Sequence, residues 1–377
     1  MDEKKLKIIG VVGARPNFMK IGPVLDALGK KAGVETLLVH TGQHYDEKMS
    51  KVFFEELGLP KPEINLEIGS GPHGRQTGRI MAAFEEVLEE RRPGLVMVVG
   101  DVNSTLACSL AAVKLKIPVA HIEAGLRSGD RTMPEEINRI VTDTLSDYLF
   151  VTERSGVENL RAEGIPDSRI FLVGNVMIDN LVRNLERIDR MGIVSPVDSE
   201  AGGDGYAALT LHRPSNVDDA DVFGGIAAAL ADVAERLPVY FPVHPRTREK
   251  IAGFGLGKYF RDYEPGLKSG ILMTEPMGAL VFLSLMRKAR LVLTDSGGIQ
   301  EETTFLGIPC VTIRENTERP VTIEEGTNVL VGTDPEAIRR AAFDILGGRA
   351  KIGRVPDLWD GRAAERIADV LAGGFIG

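Results

Sequence analysis

Short apolar runs alternate with longer stretches of helical periodicity along most of the chain. The runs are rich in Val, Ile and Leu, which is typical of strands buried in a parallel sheet. The stretches between them repeat apolar residues three and four positions apart, as amphipathic helices do. In the first half, this pattern predicts strands at 7–12, 36–40, 95–99, 118–122, 148–151 and 170–173, and helices at 18–28, 47–57, 74–91, 104–115, 135–145 and 154–163.

The same alternation restarts after residues 193–205, which are rich in Gly, Ser, Pro and acidic residues and are typical of an exposed linker. Strands joined by crossover helices form parallel sheets. We therefore expect an α/β protein with two Rossmann-like, doubly wound domains, 1–175 and 206–361, facing each other across a cleft. A last helix within 362–377 can pack back on the first domain. The second half predicts strands at 206–211, 239–243, 271–274, 291–294 and 309–313, and helices at 218–237, 247–254, 278–288, 298–306, 334–346 and 362–371.

Length, charge and hydropathy limit the number of domains and the kinds of partner that the protein can have. At 377 residues the chain is long enough for about two domains, and its net charge of -9 argues against a nucleic-acid-binding surface. No apolar run is long enough to span a bilayer, and the N-terminus lacks the apolar segment of a signal peptide. We therefore expect a cytoplasmic protein without a membrane partner. Cys108 and Cys310 lie in apolar stretches and are predicted to be buried free thiols.

Residues 294–302, Thr-Asp-Ser-Gly-Gly-Ile-Gln-Glu-Glu, follow a predicted strand and lead into a predicted helix. Gly297 and Gly298 let a ligand approach the main chain closely, and the free N–H groups at a helix N-terminus suit an anion. The structural alternative is that Asp295 or Ser296 only caps the helix. The paired acids at the end of the stretch can reach the hydroxyl groups of a ligand, so the pattern favours a phosphorylated sugar.

Polar residues also follow the predicted strands of the first half, where ligands of such sheets bind. Each has a structural alternative: Asp101 as a helix cap, Glu123 as a loop acid, and Glu135 with Arg139 as a surface ion pair four residues apart. Together they offer three carboxylates for proton transfer and cations for a leaving anion. The set is Arg15, Lys20, Asp101, Glu123, Glu135 and Arg139.

The second half places His212 and Arg213 at one predicted strand end and His244 at the next. Single histidines are more often structural, but this group, with Arg319 further along, fits a diphosphate-binding cluster. No two His or Cys lie at metal-ligand spacing, so no metal is predicted. The glycines at 10–13 do not form G-x-G-x-x-G, so no nicotinamide cofactor is predicted either.

With these motifs in order, the chain resembles the non-hydrolysing UDP-N-acetylglucosamine 2-epimerases over nearly its whole length. The resemblance implies the GT-B type of two-domain fold, interconversion of UDP-N-acetylglucosamine and UDP-N-acetylmannosamine without a metal or redox cofactor, and a homodimer. In this family the product supplies cell-surface polysaccharides. The matching stretches are 13–16 with Lys20, 100–101, 121–127, 134–139, 212–213, 242–244, 295–302 and 317–320.

The resemblance also implies a mechanism. UDP is eliminated to leave enzyme-bound 2-acetamidoglucal, and it is added back after carbon 2 has been protonated from the other face. The positions that match family roles are Asp101, Glu123 and Glu135 as acid/base carboxylates, Arg15, Lys20, His212 and Arg213 around the departing UDP, Ser296, Gly297 and Gly298 at its phosphates, Glu302 at its ribose, and Phe282 at its uracil, while His244, Arg319 and Arg139 are counted with the substrate-binding residues.

Several positions depart from the family's pattern. Pro214-Ser215 stands where many members have Arg-Glu, and Val321 where an acid is frequent. Related enzymes act on UDP-2,3-diacetamido-sugar uronates, although they tend to lack the stretch seen here at 125–130. The residues Gln43, His44, Arg75 and Gln76 resemble part of a site for a second, activating UDP-N-acetylglucosamine, whereas Tyr45-Asp46 does not fit that pattern.

Three other functions are compatible with parts of this pattern. A GT-B glycosyltransferase would share the nucleotide-binding second domain but needs an acceptor groove and usually a single base. A hydrolysing epimerase would release free N-acetylmannosamine and UDP. A sugar-nucleotide sensor without catalysis would need the 296–302 stretch but not three carboxylates together. The three carboxylates favour the epimerase.

Overall fold

The computed structural model describes residues 5–43, 61–197 and 205–376. The predicted helix at 47–57 and part of the predicted linker at 193–205 lie outside these residues. Packing divides the chain into two compact units. Unit 1 comprises Met1–Asn180 with Asp357–Gly377, and unit 2 comprises Leu181–Pro356.

The described part of unit 1 contains a parallel sheet of seven strands, in the order β3-β2-β1-β4-β5-β6-β7. The five central strands were all predicted, because continuous runs of Val, Ile and Leu are buried on both faces of such a sheet. The two-residue edge strand β3 was not predicted. The strands are β1 (Leu6–Val12), β2 (Val34–His40), β3 (Ile64–Asn65), β4 (Leu95–Val99), β5 (Val119–Ala124), β6 (Tyr148–Val151) and β7 (Ile170–Leu172).

Helices connect these strands and bury their apolar faces on the sheet. One core cluster lies between the sheet and the second and third helices and includes Ile80, Phe84 and Ala107. The helices of this half are α1 (Arg15–Gly29), α2 (His73–Arg91), α3 (Asn103–Lys114), α4 (Pro134–Leu145), α5 (Arg154–Ala162) and α6 (Val176–Met191), of which α6 was not predicted.

The described part of unit 2 repeats this architecture, with strand order β10-β11-β9-β8-β12-β13-β14, all parallel. The predicted α/β class with two doubly wound parallel sheets is therefore confirmed. The short edge strands β10 and β14 were not predicted. The strands are β8 (Ala207–Thr210), β9 (Val239–Pro242), β10 (Phe260–Asp262), β11 (Ile271–Thr274), β12 (Leu291–Thr294), β13 (Cys310–Thr312) and β14 (Asn328–Leu330).

The helices of unit 2 cover a core in which Phe223, Ile226 and Phe241 are buried. The predicted helix at 218–237 is one helix, α8, which begins after Asp219 because the Asp219 side chain caps it, whereas the one-turn helix α7 before it was not predicted. The helices are α7 (Pro214–Val217), α8 (Ala220–Ala234), α9 (Pro245–Gly253), α10 (Ala279–Met286), α11 (Gly297–Leu306), α12 (Pro320–Glu324) and α13 (Pro335–Leu346).

The last helix, α14 (Ala363–Ile376), belongs to unit 1 and packs against α1. The Asp179 carboxylate accepts the main-chain N–H groups of Ala363 and Ala364, at 3.2 and 2.8 Å. Just before this helix, the buried Trp359 indole donates to the Thr152 carbonyl at 3.1 Å. These contacts fasten the end of the chain to the carboxyl side of strand β6.

Two further predictions concern the two cysteines and the absence of membrane-spanning helices. Cys108 and Cys310 are buried and free, as predicted. Burial raises the pKa of both thiols, which makes them poor nucleophiles. Among the described residues, no helix combines the length and hydropathy that crossing a membrane requires.

Candidate active site

Each sheet has one point where the strand order reverses, between β1 and β4 in unit 1 and between β8 and β12 in unit 2. Ligands of doubly wound sheets bind beyond the carboxyl ends of the strands at this switch point. Arg15 and Asp101 follow the two switch strands of unit 1, and His212 and Ser296 follow those of unit 2. In each unit, the predicted polar residues therefore lie at the switch point, where sheets of this kind bind ligands.

In unit 1, Asn17 joins the turns after β1 and β4. Its side-chain oxygen accepts the main-chain N–H groups of Gly13 and Ala14, at 3.2 and 2.9 Å, and its amide nitrogen donates to the Val99 carbonyl at 3.2 Å. Asn17 is buried, so these bonds are shielded from water. The relative position of the two strand ends is thus fixed by a side chain that the sequence did not single out.

Glu123 lies near the end of β5, where the pairing with β6 is interrupted by a bulge. Its φ is 69°, in the left-handed region that residues other than glycine rarely adopt. The side chain is buried and forms an ion pair with Lys20 from α1. Gly100, the residue after β4, lies against this pair: a Cβ there would be 3.5 Å from the Lys20 ammonium and 3.6 Å from Glu123 Oε2.

Asp101 is held from α4. Arg139 Nη1 lies 2.5 Å from Asp101 Oδ2, and the Asn138 amide donates to the Asp101 carbonyl at 2.9 Å. The residue at the N-cap of the following helix is Val102, so the interpretation of Asp101 as a helix cap is wrong. About a third of the Asp101 side chain remains accessible, so this carboxylate is presented at the surface of the strand end.

Arg139 does not form the predicted surface ion pair with Glu135. It is buried, and its guanidinium binds Glu136 Oε2 at 2.6 Å in addition to Asp101. Burial alone would raise the pKa of Glu136, but N–H groups of Ser128 and Arg139 hold it below its ordinary value. The i, i+4 spacing places Glu135 and Arg139 on one helix face, but Arg139 pairs with the buried Glu136, three residues before it. Glu135 is left partly exposed in the first turn of α4.

In unit 2, Asp295 joins the two switch strands. Its Oδ2 accepts the main-chain N–H groups of His212 and Arg213, at 2.9 and 2.8 Å, and its Oδ1 lies 3.1 Å from His212 Nδ1. Its carbonyl accepts Arg213 Nε at 2.9 Å. Burial alone would raise the pKa of Asp295, but His212 and these N–H groups hold it below its ordinary value. Asp295 therefore orients the side chains of both His212 and Arg213.

The glycine stretch has the geometry of an anion site. Ser296 occupies the N-cap position of α11 without a side-chain capping bond, and the Asp295 carboxylate binds the residues after β8 instead, so capping alone does not account for these residues. Gly297 and Gly298 form the first turn of the helix, where N–H groups have no intrahelical partner. A Cβ at Gly298 would meet no atom within 4 Å, so the space in front of the turn is open.

Arg314, which the sequence reading missed, lies behind this turn. Its Nη1 would be 3.9 Å from a Cβ at Gly297, and its Nη2 binds Glu318 Oε1 at 2.9 Å. Burial and then the charge of Arg314 lower the pKa of Arg213. Burial alone would raise the pKa of Glu318, but Arg314 lowers it to about 2. The signal was available, because Arg314 follows β13 just as His212 follows β8.

The paired acids of the 294–302 stretch have separate environments. Glu301 is buried and its Oε1 lies 2.6 Å from Arg319 Nε. Glu302 is partly buried, and burial together with the neighbouring charge of Glu301 raises its pKa to about 7. Glu302 can therefore exchange a proton near neutral pH, whereas Glu301 and Arg319 form an ion pair beside the helix.

The remaining predicted residues lie on separate elements. Arg15 is exposed at the start of α1, and Phe282 is partly buried on α10. His244 is exposed at the N-cap of α9, where its Nδ1 accepts the Arg246 N–H at 3.3 Å. Among the described contacts, none joins His244 or Phe282 to the cluster around Asp295.

Of the residues considered for a second ligand, His44 lies outside the described residues. Gln43 is buried, and its Oε1 accepts from Ser104 Oγ at 2.6 Å. Gln76 accepts the Asn103 amide at 2.8 Å, and Asn138 donates to Asn103 at 3.3 Å as well as to the Asp101 carbonyl. Arg75 is exposed.

In the described part of the chain, no group of three or more His, Cys, Asp or Glu side chains is placed to hold a metal ion. That the protein works without a metal ion stays a prediction.

Fold and polar clusters together define a doubly wound α/β protein with acids and a cation at the switch point of unit 1, and with cations and an open helix N-terminus at that of unit 2. The family model described as UDP-N-acetylglucosamine 2-epimerase matches residues 26–372. The chain belongs to this family.

Individual relatives match over almost their whole length. The UDP-N-acetylglucosamine 2-epimerase of Methanocaldococcus jannaschii is 43% identical over 98% of this chain and 100% of its own. The UDP-2,3-diacetamido-2,3-dideoxy-D-glucuronate 2-epimerase of Pseudomonas aeruginosa is 42% identical over 97% of this chain and 99% of its own. A crystal structure of the M. jannaschii UDP-GlcNAc 2-epimerase in complex with UDP-GlcNAc and UDP superposes with a TM-score of 0.82, at 41% identity, covering 98% of this chain and 100% of that one. The fold is therefore of the GT-B type, as expected.

Proposed function

We propose that this chain catalyses the reversible epimerisation of UDP-N-acetylglucosamine at carbon 2, giving UDP-N-acetylmannosamine. The observation that carries the proposal is the placement of Glu123, which is buried, paired with Lys20, and held at a positive φ beside the Gly100–Asp101 turn. Strained main chain persists where the surrounding structure demands it, and it clusters at active sites.

The reaction that fits these residues is elimination followed by addition. Carbon 2 has no adjacent carbonyl, so its proton is lost readily only as the bond from carbon 1 to the UDP oxygen breaks. One carboxylate takes the proton from carbon 2. The electron pair of the broken C–H bond forms the double bond between carbons 1 and 2, and UDP leaves with the electron pair of the bond from carbon 1 to its oxygen. Return of a proton to the opposite face and re-addition of UDP give the epimer. Asp101, Glu123 and Glu135 are the proposed acid/base groups.

Stabilising the departing diphosphate is then much of the catalysis, since charge develops there in the transition state. We assign this to the N–H groups of Ser296, Gly297 and Gly298, with His212 and Arg213 oriented by Asp295. Elimination and re-addition involve no net oxidation of the substrate, so the scheme needs no redox cofactor, and it assigns the charge of the diphosphate to these residues rather than to a metal. The further proposed roles are Arg15 and Lys20 at the diphosphate, Glu302 at the ribose, Phe282 at the uracil, and Arg139, His244 and Arg319 as substrate-binding residues.

Product analysis tests the activity. Purified enzyme incubated with UDP-N-acetylglucosamine alone is expected to give UDP-N-acetylmannosamine, seen by proton NMR as a new sugar with UDP still attached. Starting from UDP-N-acetylmannosamine should give the same final mixture. Free N-acetylmannosamine with UDP would show a hydrolysing enzyme, and turnover only with an added sugar acceptor would show a glycosyltransferase. An unchanged substrate that nevertheless binds would indicate a sensor.

A second substrate is supported by the comparison with P. aeruginosa, because its diacetamido-glucuronate 2-epimerase is about as similar to this chain as the M. jannaschii enzyme is. The same reaction at carbon 2 would apply. Assaying both UDP-sugars under identical conditions separates the alternatives by the ratio of kcat/KM values.

Several other features stay proposals. They are a supply of precursors for cell-surface polysaccharides, a cytoplasmic homodimer, domain limits at 1–175 and 206–361, and an activating second sugar nucleotide near Gln43, His44, Arg75 and Gln76. Light scattering that gives twice the mass of one chain would support the dimer.

A further inference from the structure

A charged pair lies buried beneath the unit 1 cluster and has no role in the mechanism above. His121 on β5 and Asp143 on α4 are both fully buried, and His121 Nδ1 lies 2.6 Å from Asp143 Oδ1. The other ring nitrogen, Nε2, lies 2.8 Å from the Gly100 carbonyl. A carboxylate and a carbonyl both accept, so each ring nitrogen donates a proton and the ring is an imidazolium.

The second oxygen of Asp143 binds residues that follow the bulge at Glu123. Its Oδ2 accepts the Gly125 N–H at 3.0 Å and lies 2.8 Å from Arg127 Nη1. Burial alone would raise the pKa of Asp143, but the charges of His121 and Arg127 hold it below its ordinary value. The Asp143 carboxylate is therefore bonded to His121, two residues before Glu123, and to Gly125, two residues after it.

This arrangement explains how Glu123 keeps its strained conformation. A non-glycine residue at positive φ is strained and persists only where the surrounding structure holds it. Asp143 binds the His121 ring and the Gly125 N–H, two residues before and two residues after Glu123, and Nε2 of the same ring binds the carbonyl of Gly100, the residue before Asp101. Glu123 and Asp101 are thus linked through one buried charged bridge.

We propose that His121 and Asp143 are positioning residues that hold Glu123 and Asp101 in the geometry of the reaction. The inference rests on the proposed function, since it concerns the placement of its acid/base groups. Both side chains are fully buried and bonded to other protein groups, and neither is among the residues assigned to the substrate. Both act through the main chain on either side of the two carboxylates.

Single variants are poor tests, because removing one member of a buried charged pair leaves the other uncompensated. The informative variant is the double substitution His121→Gln with Asp143→Asn, which exchanges the charged pair for a neutral, hydrogen-bonding pair. The matched control is Asp147→Asn, because Asp147 Oδ2 also accepts a main-chain N–H of β5, from Val119 at 2.9 Å, but at the opposite end of the strand.

We expect the double variant to fold, and to bind UDP with near wild-type affinity in calorimetry, because most of the groups assigned to the diphosphate, the N–H groups of α11 with His212 and Arg213, lie in unit 2. Its kcat should fall by about a hundredfold, the loss typical of a misplacement near 1 Å, with KM nearly unchanged. Asp147→Asn should keep the wild-type kcat. A folded double variant with wild-type kcat would overturn the positioning role, whereas a wild-type enzyme that converts no UDP-sugar would overturn the proposed function itself.

The protonation of the ring gives a readout independent of turnover. In protein labelled with ¹⁵N-histidine, His121 should show two one-bond N–H correlations at neutral pH, and both should be absent from the double variant. A single N–H correlation from His121 would contradict the imidazolium bridge.

Discussion

Replacing Glu123 with Gln is expected to lower kcat by about two to four powers of ten, the usual contribution of a positioned acid or base. The amide keeps the shape of the side chain but neither takes a proton from carbon 2 nor returns one. UDP affinity should stay near that of the wild type, because Lys20 keeps its charge and most of the groups assigned to the diphosphate lie in unit 2. Steady-state kinetics and calorimetric titration with UDP provide the two measurements.

The control for this change is Glu365→Gln. Glu365 is also an ion-paired glutamate of unit 1, with Arg362 Nε 3.0 Å from its Oε2, but it is exposed on α14. Its kcat should be that of the wild type. If Glu123 were only structural, Glu123→Gln would lower the melting temperature while the folded fraction kept full activity, which would contradict the assignment.

Replacing Gly298 with Leu is expected to weaken UDP binding by about a hundredfold, equivalent to losing roughly 3 kcal/mol of charge-assisted hydrogen bonds. The leucine fits the fold, because a Cβ at this position meets nothing within 4 Å. It would instead occupy the space in which a phosphate approaches the N–H groups of α11. Calorimetric titration with UDP measures the loss, and the melting temperature should not fall.

The control for Gly298→Leu is Gly253→Leu. Gly253 ends α9 in the same unit, and a Cβ there also meets nothing within 4 Å. This variant should bind UDP normally. Unchanged UDP affinity in Gly298→Leu would place the diphosphate elsewhere and remove the main reason for assigning Ser296, Gly297 and Gly298 to it.

Long apolar runs made the central strands predictable, and 95–99, 148–151, 271–274 and 291–294 have the bounds that the pattern indicated. The edge strands 64–65, 260–262 and 328–330 were missed because two or three residues carry no readable period. Helix 176–191 was missed for a different reason. Its apolar residues recur at helical spacing, but the helix lies between the last strand of the first sheet and the linker, where the pattern predicts the end of a domain.

The candidate site was only partly predictable, because the sequence shows which polar residues follow strands but not which of them meet. The pairing of Lys20 with Glu123 spans about a hundred positions and depends on how α1 lies on the sheet. Asp143 was passed over although it is a charged residue on the buried face of an amphipathic helix. Such a residue must have a buried partner, and that signal alone would have identified it.

Epimerisation in deuterated water tests the central claim most directly. If carbon 2 loses its proton to one carboxylate and receives another on the opposite face, the incoming proton comes from a site that exchanges with solvent. NMR and mass spectrometry of the UDP-N-acetylmannosamine formed from protiated UDP-N-acetylglucosamine should therefore show one deuterium at carbon 2, without added NAD. Retention of the original hydrogen at carbon 2 of the epimer would contradict the elimination mechanism.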